Sequence, residues 1–118
     1  GGDLAAAEAH YRRALPGRPT AETHNGLGFV LARQGRGDEA IAEYRRAIAV
    51  DAGFVPAYNN LAQTLTQQGR LAEAEEVYRE SLQRKPSPAV AGALATVLRR
   101  QNKVAEAERI ERTLAGAG

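Results

Sequence analysis

Cysteine, methionine and tryptophan are absent from this 118-residue chain, and phenylalanine appears only twice. Without cysteine there is no disulfide scaffold, no thiolate-ligated zinc or iron–sulfur site and no thiol nucleophile, and the compartment stays open, with the cytoplasm favoured. Two isolated histidines, His10 and His24, are too few for an imidazole cage, so neither a metal nor another cofactor is expected. No apolar run approaches the roughly 18 residues that a membrane span needs, and no basic segment leads into an apolar one, so neither a membrane anchor nor a signal peptide is expected. Charge of one sign is also scarce. Sixteen basic and 14 acidic residues leave a net +2, far from the basic stripe of a nucleic-acid binder, and no nucleic-acid partner is expected. The chain opens Gly1-Gly2-Asp3 without an initiating methionine and reads as a fragment or processed product.

What is abundant is alanine, leucine and arginine, and they recur with a period. A step of 34 carries Asn25, Leu27, Leu31, Gln34, Gly35 and Arg36 onto Asn59, Leu61, Leu65, Gln68, Gly69 and Arg70. A further step of 33 carries Leu61, Leu65, Gln68, Glu73 and Ala74 onto Leu94, Leu98, Gln101, Glu106 and Ala107. Backwards, a step of 33 takes Ala40, Tyr44 and Arg45 to Ala7, Tyr11 and Arg12, so the N-terminus begins half a unit in. Such a period marks a stack of supersecondary units that bury apolar surface only against one another.

Within each unit the apolar residues keep helical spacing, as in Tyr58, Leu61, Ala62 and Leu65, then Leu71, Ala74, Tyr78 and Leu82. Gly35, Gly69 and Asn102 fall where a first helix must stop, at positions suited to positive φ. Ser87-Pro88 reads as a cap followed by proline in the first turn, and Pro19-Thr20 and Pro56 mark the other unit starts. Seven helices follow, over 3–15, 21–34, 38–50, 55–68, 71–84, 88–101 and 104–115.

The 34-residue unit, with Leu27-Gly28 or Leu61-Ala62 early, Ala40-x-x-x-Tyr44 or Ala74-x-x-x-Tyr78 late and Pro86 closing, resembles the tetratricopeptide repeat family. The resemblance implies an all-α, right-handed α-solenoid of helix-turn-helix repeats, about three and a half units over a single domain, 1–118. The half unit takes 2–18, and the full ones 20–54, 55–87 and 88–115. His24 stands where the early aromatic belongs and is expected to fill that packing slot; Glu111 stands where a tyrosine should pack.

The resemblance further implies a non-catalytic interaction module that holds a peptide or partner protein in a concave groove made by the first helices. At 100° per residue, Asn59, Asn60, Gln63 and Gln67 lie opposite the packed face of their helix, and Asn25, Phe29 and Arg33 form the matching stripe one unit earlier. Arg99 and Arg100 follow one unit later. Carboxamides carry donor and acceptor together, so they hold a peptide backbone without selecting its side chains. Asn60 is similar to the asparagine ladder of O-GlcNAc transferase repeats, which Gly26 and Ala93 interrupt here. Asn25 stands where chaperone-clamping members carry lysine, which excludes that clamp. Ser81 and Ser87 have no nearby histidine and no glycine-rich phosphate loop is present, so no enzyme is expected. An alternative is a structural spacer or self-assembly element beside a catalytic domain such as a transferase, its apolar ends packing end to end into a homo-oligomer.

Overall fold

The 3.6-residue spacing of leucine, alanine and tyrosine produces helices, and short polar turns fold them back on one another. In the computed structural model, which describes residues 2–17 and 19–117, these are α1 (Gly2–Ala14), α2 (Ala21–Arg33), α3 (Gly37–Val50), α4 (Val55–Gln67), α5 (Leu71–Arg84), α6 (Pro88–Arg100) and α7 (Val104–Ala117). Each helix packs on the next, most extensively within the hairpins α2–α3, α4–α5 and α6–α7. The result is a rod of 46 × 25 × 22 Å with a main apolar core running along it and a smaller cluster of Ala21, Ala47 and Ala57 beside it. Beyond these sequential pairs α2 also packs on α4, so first helices line one side of the stack and second helices the other.

Turn chemistry sets the hairpins. Gly35 (φ 79°), Gly69 (φ 77°) and Asn102 (φ 64°) are left-handed, as their place after a first helix requires. In each turn the amide of the residue that follows returns to a leucine carbonyl: Arg36 to Leu31 and Arg70 to Leu65, both 2.9 Å, and Lys103 to Leu98, 2.8 Å. The same three leucines are buried through their side chains, so one residue both fills the core and ends the helix. Thr20 and Ser87 cap α2 and α6 by accepting from Thr23 N and Val90 N. Close approach needs a small residue at Gly28, where a Cβ would stand 2.7 Å from the Tyr44 ring and 3.2 Å from the Ala40 carbonyl. Gly26 likewise leaves room for Tyr11, which with Leu15 seats α1 against the core.

The turns also tie units together. Gln34 (3.3 Å) and Arg36 (2.9 Å) donate to Glu8 of α1, and Gln101 (3.0 Å) and Lys103 (2.9 Å) donate to Glu75 of α5. The matched position between them is Ile41, and there Gln68 turns to Asp38 instead, at 3.1 Å. The Arg12 bond holds the Glu8 carboxyl below its ordinary pKa, with Gln34 and Arg36 adding to it. Burial pushes Glu75 up, but bonds from Lys103, Gln101 and Arg79 pull it further down, leaving it lowered as well. A carboxylate with a depressed folded pKa stabilises the fold above its unfolded value, about 4.3, and that contribution disappears as pH falls through the folded value. Melting followed by circular dichroism is therefore expected to be flat from neutral pH to about pH 5 and to drop steeply below about pH 4. Glu75→Gln should lower the neutral-pH melting temperature and weaken that acid drop; a parent melting temperature independent of pH down to about 3 contradicts the account.

Candidate functional site

The inner side is built from the polar stripes of α2 and α4. Because Leu27 and Leu31 of α2 and Leu61 and Leu65 of α4 turn into the core, Phe29 and Arg33 on one helix and Asn60, Gln63 and Gln67 on the other are left facing the space between them. These five, with Ala32, Thr64 and the Tyr44 ring, enclose a cavity of about 190 Å³. Phe29 is 49% exposed, and the Arg33 guanidinium lies 5.8 Å from its ring centroid. Such a contact contributes about 0.5–1 kcal/mol at an exposed site.

The floor is fixed by a chain of hydroxyls. Tyr44 is buried, which pushes its phenol up to about 12, with a hydrogen bond to Thr64 acting the other way. Thr64 in turn donates to the Asn60 carbonyl at 3.0 Å. Above it, Asn60 Nδ2 donates to Asn25 Oδ1 at 3.0 Å, linking α4 to α2 across the strip. The bonded pair still has the Asn25 amide hydrogens to donate and the Asn60 oxygen to accept, the complement of one peptide unit.

Asn60 also borders a second cavity of about 410 Å³, with Val55, Pro56, Asn59, Lys85 and Ser87. Asn59 is less free than its helical position implies, because its Oδ1 accepts from Ser81 Oγ at 2.7 Å and Ser81 is completely buried. Its carbonyl ties α4 to α5, and only its amide hydrogens are left for a ligand. Arg99 and Arg100 border neither cavity. Arg99 is drawn to Glu111 of α7, its Nε donating at 2.9 Å, so the carboxylate in the tyrosine slot meets a cation rather than water alone. Lys85, Thr64 and Tyr44 are neighbours that periodicity missed: Lys85 sits in a linker outside any helical stripe, and the other two read as core or as a polar helix face.

Within the repeats, His24 is buried as its slot requires, and its Nδ1 lies 2.8 Å from Glu43 Oε1. Glu43 is itself buried and also meets Arg46. Arg84 lies over the Tyr58 ring at 5.7 Å, and the neighbouring Glu75–Arg79 pair forms at 3.0 Å. Among the described residues no group of three His, Asp or Glu side chains is placed to hold a metal ion, and no helix is long and apolar enough to cross a membrane.

Family comparison agrees with this geometry: one tetratricopeptide repeat model matches residues 19–87 and a second matches 59–118. The chain belongs to the tetratricopeptide repeat family. Among solved structures, that of the MamA protein is similar to it, with a TM-score of 0.88 at 19% identity over 94% of this chain. This tetratricopeptide chain covers 62% of the MamA chain. No curated protein matches its sequence. Tetratricopeptide repeats are, as a family, modules for protein interaction.

Proposed function

We propose that this tetratricopeptide domain is a non-catalytic docking module that holds an extended segment of a partner protein along the inner strip, gripping the backbone with Asn25 and Asn60 and one apolar side chain beside Phe29. The observation that carries this reading is the Asn25–Asn60 pair, which presents a donor and an acceptor side by side next to an exposed ring braced by Arg33. Gln63 and Gln67 extend the same chemistry toward the end of α4, and the second cavity at Asn59 and Lys85 continues the path beyond Asn60. Backbone-directed amides suit a binder tolerant of sequence, with the ring supplying the anchor.

A random peptide library panned on the domain supplies the probe, and calorimetry supplies its affinity. Phe29→Ala is expected to weaken the selected peptide about tenfold or more, as loss of a central aromatic does, and Asn60→Ala about threefold to tenfold. Both side chains are solvent-facing or half-buried, so circular dichroism should show helix content unchanged. Unchanged affinity in both variants would mean that the strip is not where the peptide lies.

A further inference from the structure

His24, Tyr58 and Ala91 occupy one position in three successive units, related by steps of 34 and 33. The position faces the gap between consecutive second helices, on the side of the stack away from the inner strip. In the first unit the gap holds the His24–Glu43 pair. In the second, Tyr58 occupies it: the ring is 2% exposed, its hydroxyl donates to the Ala52 carbonyl at 2.7 Å, Arg84 covers it, and a smaller cavity of about 230 Å³ remains beside it. In the third, alanine has no ring to offer. The gap between α5 and α7 is an open cavity of about 340 Å³ walled by Leu82, Leu94, Ile110 and Leu114. A further cavity of about 260 Å³ shares Leu82, Ala91 and Leu114 and runs on to Pro86 and Pro88, which makes a continuous apolar trough.

Two features identify the occupant. The preceding unit shows the group that fits, since Tyr58 stands in the place of Ala91 in a gap it lines with Ile48, Leu61 and Val77, the counterparts of Leu82, Leu94 and Ile110. The rim gives the charge. Arg79 is held by Glu75 at 3.0 Å and Glu106 at 2.9 Å, whereas Arg109 is exposed and, among the described residues, has no carboxylate within 4.0 Å. We infer that the trough over Ala91 is a second docking site, taking a phenylalanine or tyrosine side chain from an acidic segment of a partner protein, with the ring in the place of Tyr58 and a carboxylate on Arg109.

The test titrates two probes, p-cresol and acetyl-Asp-Tyr-Asp-amide, into the isotope-labelled domain and follows backbone amide shifts. Saturable shifts are expected at Leu82, Ala91, Leu94 and Ile110 with both probes. The acidic tripeptide should bind about twofold to fivefold more tightly than the bare ring, the effect of one exposed ion pair, and lose that advantage in Arg109→Glu. Ala91→Tyr, which supplies the ring internally, should abolish both sets of shifts while raising the melting temperature. Should Ala91→Tyr not fold, Arg109→Glu decides with the tripeptide alone. Absence of saturable shifts at these residues, shifts that persist in Ala91→Tyr, or a tripeptide no tighter than p-cresol overturns the proposal. Asn60→Ala leaves this binding unchanged, which separates its failure from failure of the inner strip.

Discussion

Leu65→Ala is expected to destabilise the domain by about 2–5 kcal/mol. Leu65 is fully buried at the end of α4, and its carbonyl receives the Arg70 amide that closes the turn into α5. Truncation removes the side chain from a helix that touches α2, α3 and α5, so surrounding helices cannot collapse into the cavity without giving up their own packing. Against a total of about 5–15 kcal/mol for a domain, this is a large share, and the melting temperature should fall by about 10–20 °C. In a stack, cost also depends on how many interfaces a residue serves. Leu98 occupies the same slot one unit later, equally buried, but α6 touches only α5 and α7 to the same degree. Leu98→Ala should therefore cost less, and its loss should show first as fraying of α6 and α7 in hydrogen exchange. Equal melting temperatures for the two variants would contradict a stack whose stability is a sum over neighbouring units.

The second large effect concerns His24 and Glu43. Removing one member alone strands the other in a buried site: Glu43→Val leaves the imidazole without its acceptor, and His24→Phe leaves the carboxylate with Arg46 only. Each should cost about 1–3 kcal/mol, the desolvation of an unpaired buried polar group. The double variant places an aromatic opposite valine, the arrangement that Tyr58 and Val77 already have one unit on. Phenylalanine also brings no hydroxyl that would need a partner. Replacing both members of a buried polar pair by apolar side chains of suitable volume is often neutral, or stabilising by about 1–4 kcal/mol. The double variant is accordingly expected to be at least as stable as the parent, with a coupling in the mutant cycle of about 2 kcal/mol or more. Simple additivity of the two single losses would show that the pair is not what holds this slot.

Seven helices, their hairpin pairing and their turn residues were all legible in the sequence, because periodicity and capping are local. Gly35, Gly69 and Asn102 adopt the left-handed turn that their positions called for, and helix ends fall within a residue or two of the expected ones. Side chains whose partner lies on another helix were less legible. Helical arithmetic places Asn59 and Asn60 on one face, but only the structure gives Asn59 to Ser81 and Asn60 to Asn25. Arg99 belongs to the same stripe, yet Glu111 lies across the hairpin and takes it. The ties from Gln34 and Arg36 to Glu8 had a visible repeat in Gln101, Lys103 and Glu75, but Ile41 interrupts the acid series, so spacing alone hid it. The trough over Ala91 was hidden for a related reason: an alanine in an aromatic slot reads as weak packing until the walls of the cavity are seen.

The measurement that goes most directly to the role of the inner strip is a nuclear magnetic resonance titration with a library-selected peptide, following side-chain amide hydrogens rather than the backbone. Asn59, Asn60, Gln63 and Gln67 border the path on α4, and Asn25 is bonded to Asn60 from α2. If the strip grips a peptide backbone, the NH₂ resonances of Asn25 and Asn60 shift in step with saturation, the Phe29 ring signals move with them, and second-helix side chains such as Gln83 stay still. If those amides and that ring remain unmoved while the outer side responds, the strip is a solvated helix face and the domain binds its partners elsewhere.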